Sequence, residues 1–240
     1  MHYIEKSNSK NRYTLSKLKN KKKLPYNGVC VKRFLVEVYG LRCCYCESLI
    51  SSNSYFQVDH FYPQNLGYLY CDDVENFHLS CPRCNSNKSD KLNNLSPNYY
   101  YDTSNNCWKL STPDHFSKHI QYQGPKIISP TCKYDIFINN LSLNGWTDSE
   151  SNGWHLALIE DRSAYLQETQ FLLQKCISFL KNNLIEDAET MILFVSKRFK
   201  RNAQYSTMIV NNYGLAMKKM LIILKKKNGS ISAIVDNILK

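Results

Sequence analysis

The chain has 240 residues, enough for one large or two small domains with a sizeable buried core. Its net charge of +11 points to an anionic partner, nucleic acid first, although a solvated basic surface gives the same count. Ten cysteines would suit a secreted disulfide protein, but residues 1–23 are polar and no run of about 20 apolar residues exists to span a membrane. Four of the cysteines stand at zinc-ligand spacing, so the expectation is a cytoplasmic chain with reduced thiols.

Residues 1–27 read as a flexible basic arm, ending in Lys21-Lys22-Lys23 and broken at Leu24-Pro25. Such an arm either touches phosphate backbones or remains a solvated tail. From Val29 to Tyr39 apolar residues recur at Val31, Phe34, Leu35 and Val38, the spacing of a helix, and Gly40 supplies its stop. Residues 42–47 fit a zinc knuckle, a tight turn whose amides point at thiolates. Cys43 and Cys46 have the spacing such a turn needs; Cys44 and Cys46 do not, so Cys44 reads as a bystander. Tyr55-Phe56-Gln57-Val58 is a short β-type run leading into Asp59-His60. An apolar, aromatic stretch at 66–70 precedes the acidic turn Asp72-Asp73. Residues 76–79 lead into a second knuckle, Cys81 to Cys84, and 85–92 reads as the start of a helix.

Residues 96–156 form an extension rich in Asn, Ser and Tyr, with turn signals at Ser96-Pro97, Gly124-Pro125, Asn144-Gly145 and Asn152-Gly153. Short strands are expected near 107–110, 119–123 and 126–128. Beyond Ala157 the pattern is helical. Leu166, Leu173, Ile177 and Leu180 make one stripe, and Ala188, Ile192, Val195 and Phe199 a second. Ile209, Tyr213, Ala216, Met220 and Leu224 make a third, and a last segment carries Ile231, Ile234, Val235 and Ile238. Such stripes are core or partner-facing surface. The expected division is an arm at 1–27, a zinc-knuckle core at 28–95, the extension at 96–156 and a helical region at 157–240.

Chemistry concentrates between the knuckles. Cys43, Cys46, Cys81 and Cys84 make a four-thiolate set for tetrahedral zinc. A purely structural finger has no use for an Asp-His pair between its knuckles, or for a Cys84-Asn85-x-x-Lys88 exit. Phosphodiester hydrolysis needs a metal to neutralise phosphate charge and a base to activate water. Magnesium prefers oxygen ligands, which Asp59 and Asn85 offer, and His60 is the imidazole that can take a proton near neutral pH. Taken singly, His60 reads as a structural histidine or zinc ligand, Asn76 as a turn residue and Lys88 as a solvated lysine. His78 reads as structural, with a DNA contact as the alternative. The joint order of these residues favours the catalytic reading.

Asp59-His60, then Asn76, then Cys84-Asn85-x-x-Lys88 resemble the HNH endonuclease motif in its four-cysteine form. The resemblance implies an α+β fold, a ββα-metal, treble-clef-like nuclease core with a mainly α-helical C-terminal region. It implies that His60 is the general base and that Asp59 and Asn85 hold a catalytic magnesium or manganese ion beside the structural zinc. By the same resemblance, Asn76 fixes the loop and orients His60, and Lys88 sits near the scissile or an adjacent phosphate. The third motif position is Asn85 rather than histidine, a variant that favours a magnesium-like ion.

A narrower resemblance covers more of the chain. Cys44-Tyr45-Cys46-Glu47, Asp59-His60-Phe61-Tyr62-Pro63, Asp102, Gly124, Leu141-x-Leu143-Asn144 and Arg162 are similar in order to the PtuB-type HNH subunits of Septu and retron anti-phage systems. The Cys43-Cys44 doublet departs from that pattern. The nuclease reading takes DNA as substrate with RNA left open, and this resemblance implies an ATPase partner that restrains or licenses the nuclease. Residues 157–240 are the expected docking surface for that partner or for a second copy of the chain. The rival expectation is a zinc-stabilised nucleic-acid-binding or partner-binding subunit without catalysis.

Overall fold

The computed structural model describes residues 4–6, 12–20, 25–50, 55–66, 72–90, 99–102, 104–105, 107–145, 154–200 and 203–227. The chain divides into two units, one of residues 1–121 with 127–149 and the other of residues 122–126 with 150–240. It mixes helices with three small two-stranded sheets, and its C-terminal part is helical, as expected for an α+β chain. Among the described residues no helix is long and apolar enough to cross a membrane.

The first unit is built on a hairpin. Strand β1 (Gln57–His60) pairs antiparallel with β2 (Phe77–Ser80), in a register that sets Asp59 opposite His78 and His60 opposite Phe77. Both strands are short and almost wholly buried, so the hairpin depends on what covers it. Helix α2 (Val29–Tyr39) packs on β2 and buries Val31, Phe34 and Leu35 as read from the sequence, with Tyr39 taking the buried place expected of Val38, which is half-buried. Gly40 stops it in the left-handed conformation (φ 62°, ψ 38°), its amide turned back to Val36 O at 2.8 Å. Helix α3 (Pro82–Lys88) begins three residues before the expected start at Asn85. The Cys81 sulfur accepts the Cys84 amide as an N-cap, and Pro82 takes the first helical position, where its missing N–H costs nothing.

The N-terminal segment departs from the flexible arm read from the sequence. Residues Arg12–Lys19 form helix α1, with Leu15 and Leu18 buried, packed on α2 and on the 3-10 turn Val74–Asn76. Ile4 is buried as well. Lys6 is 2% exposed, and its ammonium donates to the carbonyls of Val74 (3.0 Å), Glu75 (2.5 Å) and Phe77 (2.7 Å). An apolar i, i+3 pair and one lysine that satisfies three carbonyls are enough to bring polar sequence onto the core. The Lys21-Lys22-Lys23 run lies outside the described residues.

Beyond α3 the same unit holds the hairpin of β3 (Tyr99–Asp102) and β4 (Cys107–Leu110), then the short helices α4 (Pro113–His119) and α5 (Asp135–Asn140). Asp102 closes the turn between the strands, accepting from Ser104 N (3.0 Å) and Asn105 Nδ2 (2.6 Å) and pairing with Lys109. Of the strands expected near 107–110, 119–123 and 126–128, β4, β5 (Gln121–Gln123) and β6 (Lys126–Ile128) are present, while His119 ends a helix instead.

In the second unit α6 (Trp154–Lys181), α7 (Ile185–Ser196) and α8 (Ser206–Lys227) share one apolar core. Leu166, Leu173, Leu180, Ala188, Ile192, Val195, Ile209, Met220 and Leu224 are buried, as their spacing predicts. Ile177 and Ala216 face solvent, because Cys176 and Met217 occupy those turns of the buried stripe. Residues Ile231, Ile234, Val235 and Ile238 lie outside the described residues. The stretch 122–126 belongs to this unit. Fully buried Arg162 donates to Pro125 O (3.4 Å) and lies over the rings of Tyr122 and Tyr205, while Asn211 and Asn212 accept the amides of Tyr122 and Gly124.

Candidate active site

Cys43, Cys46, Cys81 and Cys84 converge, with all four sulfurs within 4.8 Å of one another. Tetrahedral zinc with bonds of about 2.3 Å spaces its sulfurs about 3.8 Å apart, so the set fits that ion. Each knuckle is built locally. In the first, Glu47 adopts a left-handed conformation (φ 63°) and sends its amide to Cys43 O at 3.0 Å, while its buried side chain faces Arg42 at 3.8 Å. In the second, Cys84 N donates to Cys81 Sγ at 3.5 Å. Burial works to raise the Cys43 thiol, but hydrogen bonds from Cys44, Cys46, Cys81 and Cys84 outweigh it and hold the group well below its usual value. Hydrogen bonds with Cys43 and Cys46 push Cys81 and Cys84 up instead. Four sulfurs so close ionise together only around a cation. Cys44 is buried but outside the group; its amide bonds Leu79 O, and burial first, then Cys43, pushes its thiol up.

The metal group joins the ends of the β1–β2 hairpin and α3, and these elements carry the other predicted residues. Asp59, His60 and Asn85 line one cleft of about 580 Å³, together with Gln57 and Gln64. Asp59 is 3% exposed; its Oδ1 lies 3.1 Å from Lys88 Nζ, and its Oδ2 accepts from the Tyr45 hydroxyl. His60 is held between the edges of two rings, Tyr26 at 4.8 Å and Phe77 at 4.9 Å between centroids. Its Nε2 lies 3.1 Å from the side-chain nitrogen of Gln64. That contact sets the Nε2 edge of His60 against a polar side chain on the cleft lining.

Asn76 pins the loop that follows β1. Its Oδ1 accepts Tyr62 N at 2.7 Å and its Nδ2 donates to Tyr62 O at 3.1 Å, while Phe61 N bonds Asn76 O at 3.0 Å. The residue after His60 is thereby tied to the start of β2. Asn85 Nδ2 donates to Gln57 Oε1 at 2.8 Å, which turns Oδ1 the other way as an oxygen donor in a cleft that also holds Asp59. A carboxylate and an amide oxygen are the ligand types a hard divalent ion prefers. Lys88 is 1% exposed and turned inward, its ammonium between Asp59 and the His60 carbonyl (2.8 Å).

Two further side chains support the site, and the sequence reads His78 as structural without marking its place beside Asp59. Tyr45, between two metal-binding cysteines, holds Asp59. His78 is wholly buried and structural: Nδ1 meets the Tyr39 hydroxyl at 2.5 Å and Nε2 has no hydrogen-bond partner among the described residues. Only the register, which puts His78 opposite Asp59, marks it as part of the support for the site.

The family model for HNH endonuclease matches residues 43–91, the segment from the first metal-binding cysteine to just beyond α3. Comparison with curated proteins and with solved structures finds no match. Residues 43–91 thus resemble an HNH endonuclease domain and carry a four-cysteine cluster able to hold a metal ion.

Proposed function

We propose that the protein is a metal-dependent endonuclease that hydrolyses DNA phosphodiester bonds with water activated by His60. The observation that carries this reading is the convergence of His60, Asp59 and Asn85 on one cleft within the HNH-matched segment. The zinc-type cluster and the Asn76 clamp fix the elements that bear them. Magnesium or manganese held by Asp59 and Asn85 would neutralise charge on the phosphate and the leaving oxygen. His60 Nε2 takes a proton from water, the oxygen left behind attacks phosphorus, the bond to the leaving sugar oxygen breaks, and that oxygen takes a proton from solvent. Gln64 lies where that water would sit, its side-chain nitrogen 3.1 Å from Nε2. Tyr45 and Lys88 hold the Asp59 carboxylate from behind.

The test is plasmid cleavage by the purified protein with magnesium or manganese, beside His60→Ala and a zinc assay. Wild type should cut and carry about one zinc per chain. His60→Ala should keep its zinc and lose activity by about 100- to 10,000-fold. Cleavage by that variant at the wild-type rate sinks the assignment.

One observation favours a second reading, a zinc-stabilised nucleic-acid-binding module: both Asp59 oxygens already have protein partners. Magnesium withdrawal separates the two, because it leaves a binder's DNA affinity unchanged and stops a nuclease. The finer proposal is that the nuclease is the effector of an anti-phage complex with an ATPase partner. Its support is the ordered likeness of Asp102, Gly124, Asn144 and Arg162 to PtuB-type subunits. Exposed Phe171, Phe194, Leu215, Ile222 and Ile223 on the helices add apolar surface for such a partner.

A further inference from the structure

An HNH lysine at position 88 would be expected to meet the substrate, yet here its charge is buried and matched by Asp59. The cleft has another cation. Among the described residues that line it, Lys32 is the only lysine or arginine. Lys32 stands on the first turn of α2, half-buried, and its ammonium has no ion pair or hydrogen bond with any described residue. The same wall carries Tyr26, whose ring meets His60 edge-on at 4.8 Å and 73°. The segment 26–32 therefore forms a side of the cleft that reaches the base itself. The other ionisable groups on the lining are the carboxylates of Asp59 and Asp90, the imidazole of His60 and the phenols of Tyr26 and Tyr55. A phosphate strand entering such a space needs a cation, and a partially desolvated lysine without a carboxylate is the group that supplies one.

We infer that Lys32 binds a backbone phosphate of the nucleic-acid substrate, from an element that precedes the HNH-matched segment 43–91. The inference rests on the nuclease reading and deepens it. The cleft is lined both by the β1 and α3 residues of the HNH-matched segment and by residues 26–32, which bring Lys32 to it.

The experiment measures affinity for a fluorescein-labelled 20-base-pair DNA duplex across a salt series without added divalent ion, using full-length wild type, Lys32→Met and Lys32→Arg. Steady-state cleavage with magnesium follows on the same samples. Lys32→Met should bind about 3- to 10-fold more weakly at low salt and lower the slope of log Kd against log salt by about one phosphate contact. Lys32→Arg should restore both. In cleavage, Lys32→Met should raise KM with kcat nearly unchanged, the pattern of a lost binding contact. Equal affinity and equal slope for Lys32→Met and wild type would overturn the inference. So would weaker binding with an unchanged slope, since lost folding rather than a lost phosphate contact has that signature. If wild type itself neither binds nor cuts DNA, the nuclease reading fails, and Lys32 falls with it; the wild-type arm alone identifies that case.

Discussion

Asp59 illustrates how the site depends on single side chains. Its carboxylate is buried with the Lys88 ammonium on one oxygen and the Tyr45 hydroxyl on the other. Removing one member of a buried ion pair strands the other, so Lys88→Met should destabilise the protein by about 3–5 kcal/mol. Lys88→Met combined with Asp59→Asn should recover part of that loss, and chemical denaturation of the three variants checks it. His78 provides a pH dependence with a definite sign. Burial, then the nearby charges of Lys6, Lys88 and His60, push its pKa well below 6.5. In the unfolded chain His78 takes up a proton near pH 6.5, so just below that pH the unfolded state binds more protons than the folded one. Stability contributed by neutral His78 is complete above that value and is lost as the pH falls beneath it. The slope should approach 1.4 kcal/mol per pH unit, about one proton, and His78→Phe should flatten it. Equal slopes in the two proteins would refute this account. Lys6 acts at the same scale: Lys6→Met leaves three carbonyls without their donor and should cost about 1–3 kcal/mol in a thermal or urea melt.

At the scale of elements, the knuckles do for the hairpin what a larger core does elsewhere. Cys46→Ser should lose zinc and raise amide exchange across β1 and β2, leaving α6 to α8 protected. Cys44→Ser should retain about one zinc per chain, because its sulfur lies outside the group. Hydrogen exchange and metal analysis on the two variants decide this. Elements were legible where a strong local rule acted alone. Helix α2 was bounded correctly by its apolar period and Gly40, and the ligand cysteines by the two-residue gap. The start of α3 was missed because a sulfur, not a hydroxyl or carboxylate, caps it. Helix α1 was missed because lysines surround the two leucines that bury it. Tyr45 and Tyr26 were illegible for another reason: their importance comes from what the fold brings beside them, Asp59 and His60, at sequence separations with no period.

Across the whole molecule, the sequence reads as a core at 28–95, an extension at 96–156 and a helical region from 157 onward. The chain's actual route is less simple. Residues 122–126 belong with the helices, although residues 127–149 of the other unit intervene before α6. Arg162, Asn211 and Asn212 all find partners in that short stretch. A fragment of 150–240 should therefore be helical but less stable than the same helices in the full chain. Its Tm should fall by about 4–8 °C for each kcal/mol of lost contacts, as a circular dichroism melt would measure. The same route constrains exchange between related proteins. A recombination breakpoint just before α6 would hand a recipient three helices with a buried guanidinium and two asparagines cut off from the backbone they were selected to meet. The helical part is thus not a cassette with one seam. It travels intact, without residues 127–149, only when residues 122–126 go with it, which takes breakpoints before 122, after 126 and before 150.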